Sequence, residues 1–159
     1  MKDVSHSRRR LVMAGSAVGA ISAMGFPAIV KAQSDKIRIG HLTPLTGFLG
    51  PLGEYGTMGI KQAIDEVNKA GGVMGRQLEL ITEDSVNPAT AASKAQRMFE
   101  RDGVTCLLGE INSAAGLAIS QVAARNQKIF INTGGNSDEL RGKSCNKFMF
   151  HLECANSMY

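Results

Sequence analysis

The sequence predicts an α/β fold: a parallel sheet flanked by helices. Three observations carry this. Short apolar runs alternate with amphipathic stretches of helical spacing four times in succession. The segments after the apolar runs are rich in Gly, Ser, Thr and Asn. The chain's formal charge of +4 is confined to its first 32 residues, where five bases meet one acid, so the remainder is balanced and reads as a neutral domain. Repeated βα steps of this kind demand parallel strands and crossover helices.

The elements follow in order. Residues 36–41 alternate, with Ile37 and Ile39 on one face, and read as a strand. Residues 56–70 place Ile60, Ile64 and Val67 on one helical face, and Gly71-Gly72 stops that helix. Residues 77–82 form a second strand. Asn87 and Pro88 open the next helix as N-cap and first-turn residue. Ala92, Ala95 and Phe99 are its buried face, and Gly103 ends it. Residues 104–109 are almost continuously apolar, as a strand covered on both sides should be. Residues 113–126 are the third helix, with Ser113 as N-cap. Residues 128–132 and 148–152 are the fourth and fifth strands. No internal repeat or low-complexity segment interrupts the pattern.

The first 32 residues stand apart. Ser7-Arg8-Arg9-Arg10-Leu11-Val12 has the form of a twin-arginine export signal. Residues 11–26 are apolar but diluted by Gly and Ser, and shorter than the ~20 residues a spanning helix needs. Pro27 breaks the run, and Val30-Lys31-Ala32 fits a small-x-Ala cleavage pattern. Residues 1–32 are therefore expected to be a removable twin-arginine signal peptide, and the mature protein to be periplasmic, with the twin-arginine machinery as a partner.

In parallel α/β sheets, ligands sit beyond the carboxyl ends of the strands. The loops there are residues 42–54, 83–87, 110–113 and 133–140. Their backbone amides and hydroxyls suit reversible binding of a small polar ligand. They supply no nucleophile, base or metal set. His41, Glu110 and His151 lie near strand ends but share no catalytic motif. Gly142-Lys143-Ser144 resembles the end of a phosphate-binding loop, but Ser137 stands where the first glycine belongs. The three cysteines lack metal-binding spacing. Cys145 and Cys154 flank a strand and are too far apart to pair with each other. A neutral domain with two tyrosines and no tryptophan is a poor nucleic-acid platform.

A specific resemblance runs through these segments. Ile37-Arg38-Ile39-Gly40 leads to Pro44-Leu45-Thr46-Gly47. Residues 59–68 are followed by Gly71-Gly72-Val73-Met74-Gly75-Arg76. Glu83-Asp84 precedes Asn87-Pro88, and Asp138-Glu139-Leu140 closes the fourth loop. In this order and spacing, residues 36–159 resemble the N-terminal part of a periplasmic solute-binding protein of the branched-chain amino-acid (leucine/isoleucine/valine-binding) ABC-transporter family.

The resemblance implies the type I periplasmic-binding-protein fold, two α/β lobes that close on a ligand, and a longer chain than this one, so that mostly one lobe is present here. Residues 33–152 are then expected to form an incomplete N-terminal lobe and residues 153–159 the start of a second, leaving a sheet edge unpaired. It also implies a non-enzymatic protein with no cofactor, which captures an amino acid, amide or aromatic acid and delivers it to a membrane permease. The family's pocket serine matches Ser113, whose hydroxyl stands with the amides of Ala114 and Ala115 at a helix N-terminus, a natural carboxylate site. Asn112 adjoins them. Gly134 and Asn136 match a carbonyl and a threonine that hold the ligand's amine, so the threonine is missing here. The family's covering aromatic residue matches Leu52, or Tyr55 if the loop is shifted. A disulfide between the second and third loops, found in some members, is absent because Val86 and Asn112 occupy its positions. A ligand sensor of the same fold, or an exported α/β enzyme with its reactive groups elsewhere, are the alternative readings.

Overall fold

The computed structural model describes residues 36–158; the expected signal peptide, residues 1–32, lies outside them. The elements are β1 (Ile37–Thr43), α1 (Gly50–Lys69), β2 (Leu78–Asp84), α2 (Pro88–Glu100), β3 (Cys106–Gly109), α3 (Ser113–Asn126), β4 (Ile129–Asn132) and β5 (Met149–His151). Single 3-10 turns at Asp138–Leu140 and Asn156–Met158 follow β4 and β5. All four strand pairings are parallel, in the order β2-β1-β3-β4-β5.

The core lies where α2 and α3 pack on each other and on the sheet. Leu42, Leu107 and Phe130 project from neighbouring strands into the same cluster as Ala91, Ala95 and Met98 of α2 and Ala115, Ile119, Val122 and Ala123 of α3. The alanines let both helices approach closely, and each fully buried large side chain contributes about 1.5–3 kcal/mol. α1 instead packs on β2. At the far end of the sheet Ile129 and Phe150 remain substantially exposed.

Two sequence expectations need correction. The first helix starts at Gly50, six residues ahead of the expected position, so the first loop shrinks to residues 44–49. The cause is close packing: a Cβ on Gly53 would lie 1.8 Å from the Pro44 carbonyl oxygen, so only glycine lets the helix begin against that loop. Pro51 then occupies the helix's first turn, where its missing N–H costs nothing. The second correction concerns α3. Its span is as expected, but its cap is Asn112 and not Ser113. Asn112 has extended backbone and its Oδ1 accepts from the amides of Ala114 and Ala115 at 2.9 and 3.1 Å. By contrast, Asn87 caps α2 as expected, accepting from the Thr90 amide at 2.9 Å.

Candidate functional site

β1 leads to a strand on one side of it, β2, and β3 to a strand on the other, β4. The carboxyl ends of β1 and β3 therefore flank the topological switch point of the sheet, where open α/β sheets place their ligands. A cavity of about 350 Å³ opens there. Pro44 and residues 46–49 supply one wall, residues 85–87 another, and Asn112 and Ala115 a third. Phe48 is 97% exposed and Val86 60%, so two apolar side chains of the lining stand bare to solvent.

Two acids hold these loops. Asp84, the last residue of β2, accepts through Oδ1 from the amides of Leu45 and Val86, each at 3.0 Å, and through Oδ2 from the Thr46 hydroxyl at 2.6 Å. Burial alone would raise its pKa. The bonds from Thr46, Leu45 and Val86, with the Lys94 charge nearby, outweigh that and hold the carboxyl below its ordinary range. Glu110 is fully buried just after β3. Its Oε1 accepts from the amides of Ile111 and Asn112 at 3.0 and 2.8 Å, folding the side chain over its own loop. Burial pushes its pKa up, against the Asn112 and Ile111 amides and the nearby Ser85 hydroxyl, and the Asp84 charge adds to the rise.

The backbone around the cavity is unusual. Val86 and Glu110 both have positive φ, 57° and 70°. That region is a true outlier for a β-branched residue such as Val86 and costs on the order of 1–3 kcal/mol, a form of strain that collects at functional sites.

The structure separates the residues singled out from sequence. Asn112 and Ala115 line the cavity, and Ala114 lies beside them in the first turn of α3. The amides of Ala114 and Ala115 are not open: Asn112 occupies both. The Ser113 hydroxyl accepts from the Ser137 amide at 3.2 Å and ties the fourth loop to α3, leaving its own proton to donate. The Gly134 amide donates to the Glu110 carbonyl at 3.1 Å, and the Asn136 carbonyl accepts from Asn156 at 2.8 Å. Neither Gly134 nor Asn136 belongs to the cavity wall. Leu52 is placed off the wall as well. It lies in the first turn of α1, 54% exposed, because the helix starts early. Tyr55 follows it on the same helix.

Sequence reasoning placed ligand-bearing loops at residues 42–54 and 83–87 but named none of Pro44, residues 46–49 or residues 85–87 as site residues. Phe48 carried a usable signal, an aromatic in the expected loop of residues 42–54, but the covering residue was matched to Leu52 or Tyr55 instead. The positive φ of Val86 had none, since valine is the last residue expected there.

The groups that could have formed a catalytic set are apart in role. His41 is buried in β1 beside Thr82 and Leu108 of the adjoining strands, its Nδ1 unpartnered. His151 sits on β5, its Nδ1 accepting from Arg141 Nε at 3.1 Å. Lys143 and Ser144, in the phosphate-loop lookalike, pair with Glu139 in a surface turn. Among the described residues all three cysteines are free. No group of three His, Cys, Asp or Glu side chains among the described residues is placed to hold a metal.

The family profile described as periplasmic binding protein matches residues 36–158. The chain belongs to the periplasmic binding protein family. Within this family it is 34% identical, over 134 residues, to the Leu/Ile/Val-binding protein homolog 8 of Brucella suis, with 84% of this chain and 32% of the relative covered. Among solved structures, a periplasmic binding protein from Burkholderia mallei is 32% identical with a TM-score of 0.71, covering 76% of this chain and 32% of that one. The branched-chain amino acid transporter substrate binding protein LivJ of Streptococcus pneumoniae, in complex with isoleucine, is 27% identical with a TM-score of 0.72, covering 77% and 35%. The chain spans about a third of the length of the curated relatives it matches. The type I periplasmic-binding-protein fold expected from sequence is thus the fold observed, with a single lobe present.

Proposed function

We propose that this chain is the N-terminal lobe of the substrate-binding component of an ABC transporter, which captures a small amino-acid-like carboxylate and passes it to a membrane permease without chemical change. The observation that supports this best is the cavity at the switch point, walled by the head of α3 on one side and bare apolar side chains on the other. The ligand's carboxylate is proposed to take the Ala114 and Ala115 amides in place of Asn112 Oδ1, with the Ser113 hydroxyl donating to it. A charge-assisted bond is roughly twice as strong as the neutral one it displaces, so the exchange is favourable. Phe48 replaces Leu52 as the covering residue, packing with Val86 on the ligand's apolar part. The Gly134 carbonyl and Asn136 are proposed to face the amine once a second lobe shuts the cleft.

Calorimetric titration of the intact protein with isoleucine, leucine, valine, an aliphatic amide and benzoate tests the proposal. Saturable one-to-one binding of at least one of them, with the compound recovered unchanged, is expected. Conversion to a product would establish an enzyme instead, and no binding by any would remove the ligand class.

Periplasmic residence fits the family, and we propose the twin-arginine route from Ser7-Arg8-Arg9-Arg10-Leu11-Val12. Replacing Arg8 and Arg9 together by Lys should abolish periplasmic accumulation, and undiminished accumulation of that variant would rule the route out.

A further inference from the structure

The cavity's two apolar walls come from different strands, yet one carboxylate grips both. Asp84 accepts from Leu45 and Thr46 in the loop that carries Phe48, and from Val86 in its own loop. Phe48 is two residues beyond Thr46, and Val86 two beyond Asp84; both side chains line the same cavity. Neither wall is held by core packing, because Phe48 and Val86 are both largely exposed. Val86 also occupies a backbone region that valine avoids, so something must retain it there, and its amide is bonded to Asp84 Oδ1. The neighbouring cation does not compete for the carboxylate. Lys94 Nζ donates to the Asp84 backbone carbonyl at 2.7 Å and pairs with Glu83 at 3.6 Å.

We propose that Asp84 is a positioning residue: it couples the loop after β1 to the loop after β2 and so sets the separation of the Phe48 and Val86 walls. It need not touch the ligand to do so. Its effect on binding rests on the reading that this cavity is the ligand site. The coupling itself does not.

Hydrogen exchange and calorimetry on the intact protein separate the two. In Asp84→Ala the amides of Leu45 and Val86 should exchange about tenfold faster together, as expected when bonds to a charged acceptor are lost. The Thr90 amide, held by Asn87, should be unchanged. Asp84→Asn keeps an acceptor for both amides but none for the Thr46 hydroxyl, so it should fall between; it also serves if the alanine variant folds poorly. Isoleucine affinity should drop about tenfold in Asp84→Ala, and the loss should vanish in a Phe48→Ala background, since neighbouring groups acting as one are not additive. Unchanged exchange at Leu45 and Val86 would overturn the coupling. Additive losses would overturn its action through Phe48. Failure of the wild type to bind isoleucine would count against that amino-acid ligand alone, while the exchange rates still decide whether Asp84 joins the loops.

Discussion

At the scale of single residues, the buried titratable groups set opposing pH dependences. His41 is 2% exposed, and burial lowers its pKa from 6.5 to about 4. The imidazole is therefore neutral in the fold, while the unfolded chain takes up its proton first as pH falls. Stability conferred by the neutral ring is complete above pH 6.5 and is lost as pH drops toward 4, by about 3 kcal/mol in all. His41→Gln, which cannot titrate, should flatten that part of the acid limb when urea unfolding is compared at pH 7 and pH 4.5; an unaltered slope would refute the assignment. Glu110 acts the other way. Its raised pKa means that stability is lost as pH rises through its folded-state midpoint. The sequence marked both residues as polar groups near strand ends without a catalytic role. It gave no hint that Glu110 folds back on the Ile111 and Asn112 amides, because that depends on a positive φ at a non-glycine residue.

At the scale of elements, boundaries set by local chemistry were legible and those set by packing were not. Asn87-Pro88 announces α2 because cap and first-turn preferences act within four residues. Gly50 and Gly53 read as loop residues, since glycine weakens a helix in isolation. Here Gly53 lets the helix approach the Pro44 carbonyl and Gly50 the Leu45 carbonyl, which is visible only in three dimensions. Leu52 lies in the first turn of α1 and not in a loop for the same reason. At the head of α3 the sequence points to Ser113 as the cap, whereas the structure places Asn112 there; both are good capping residues, so local preference does not separate adjacent positions. The choice has a consequence. Asn112→Ala should cost about 1 kcal/mol of stability by uncapping α3. If a ligand carboxylate competes with Oδ1 for the Ala114 and Ala115 amides, the same change should tighten isoleucine binding about fivefold. Chemical denaturation and calorimetry read the two signs, and weakened binding in the variant would show that Asn112 is itself the ligand's partner.

For the molecule as a whole, strand order decides where function can sit. Alternating β and α segments imply parallel crossovers, so the fold class and the loop-bearing rim were readable from pattern alone, whereas the order β2-β1-β3-β4-β5 came only with the structure. The composition of the cavity was not readable either, because three loops far apart in sequence meet there: Asp84 bonds join the first two, and Glu110, folded on its own loop, lies near Ser85 of the second. Its opposite wall is not formed by the described residues. Phe48 and Val86 stand uncovered in this lobe, as expected of surfaces that a ligand and a second lobe would cover. If these three loops form one ligand site, a ligand must perturb them together. Following backbone amide resonances of the intact protein during an isoleucine titration tests it most directly. Residues 45–49, 85–87 and 112–115 should shift together along a single saturation curve. Saturable binding that leaves all three sets unmoved would contradict the account.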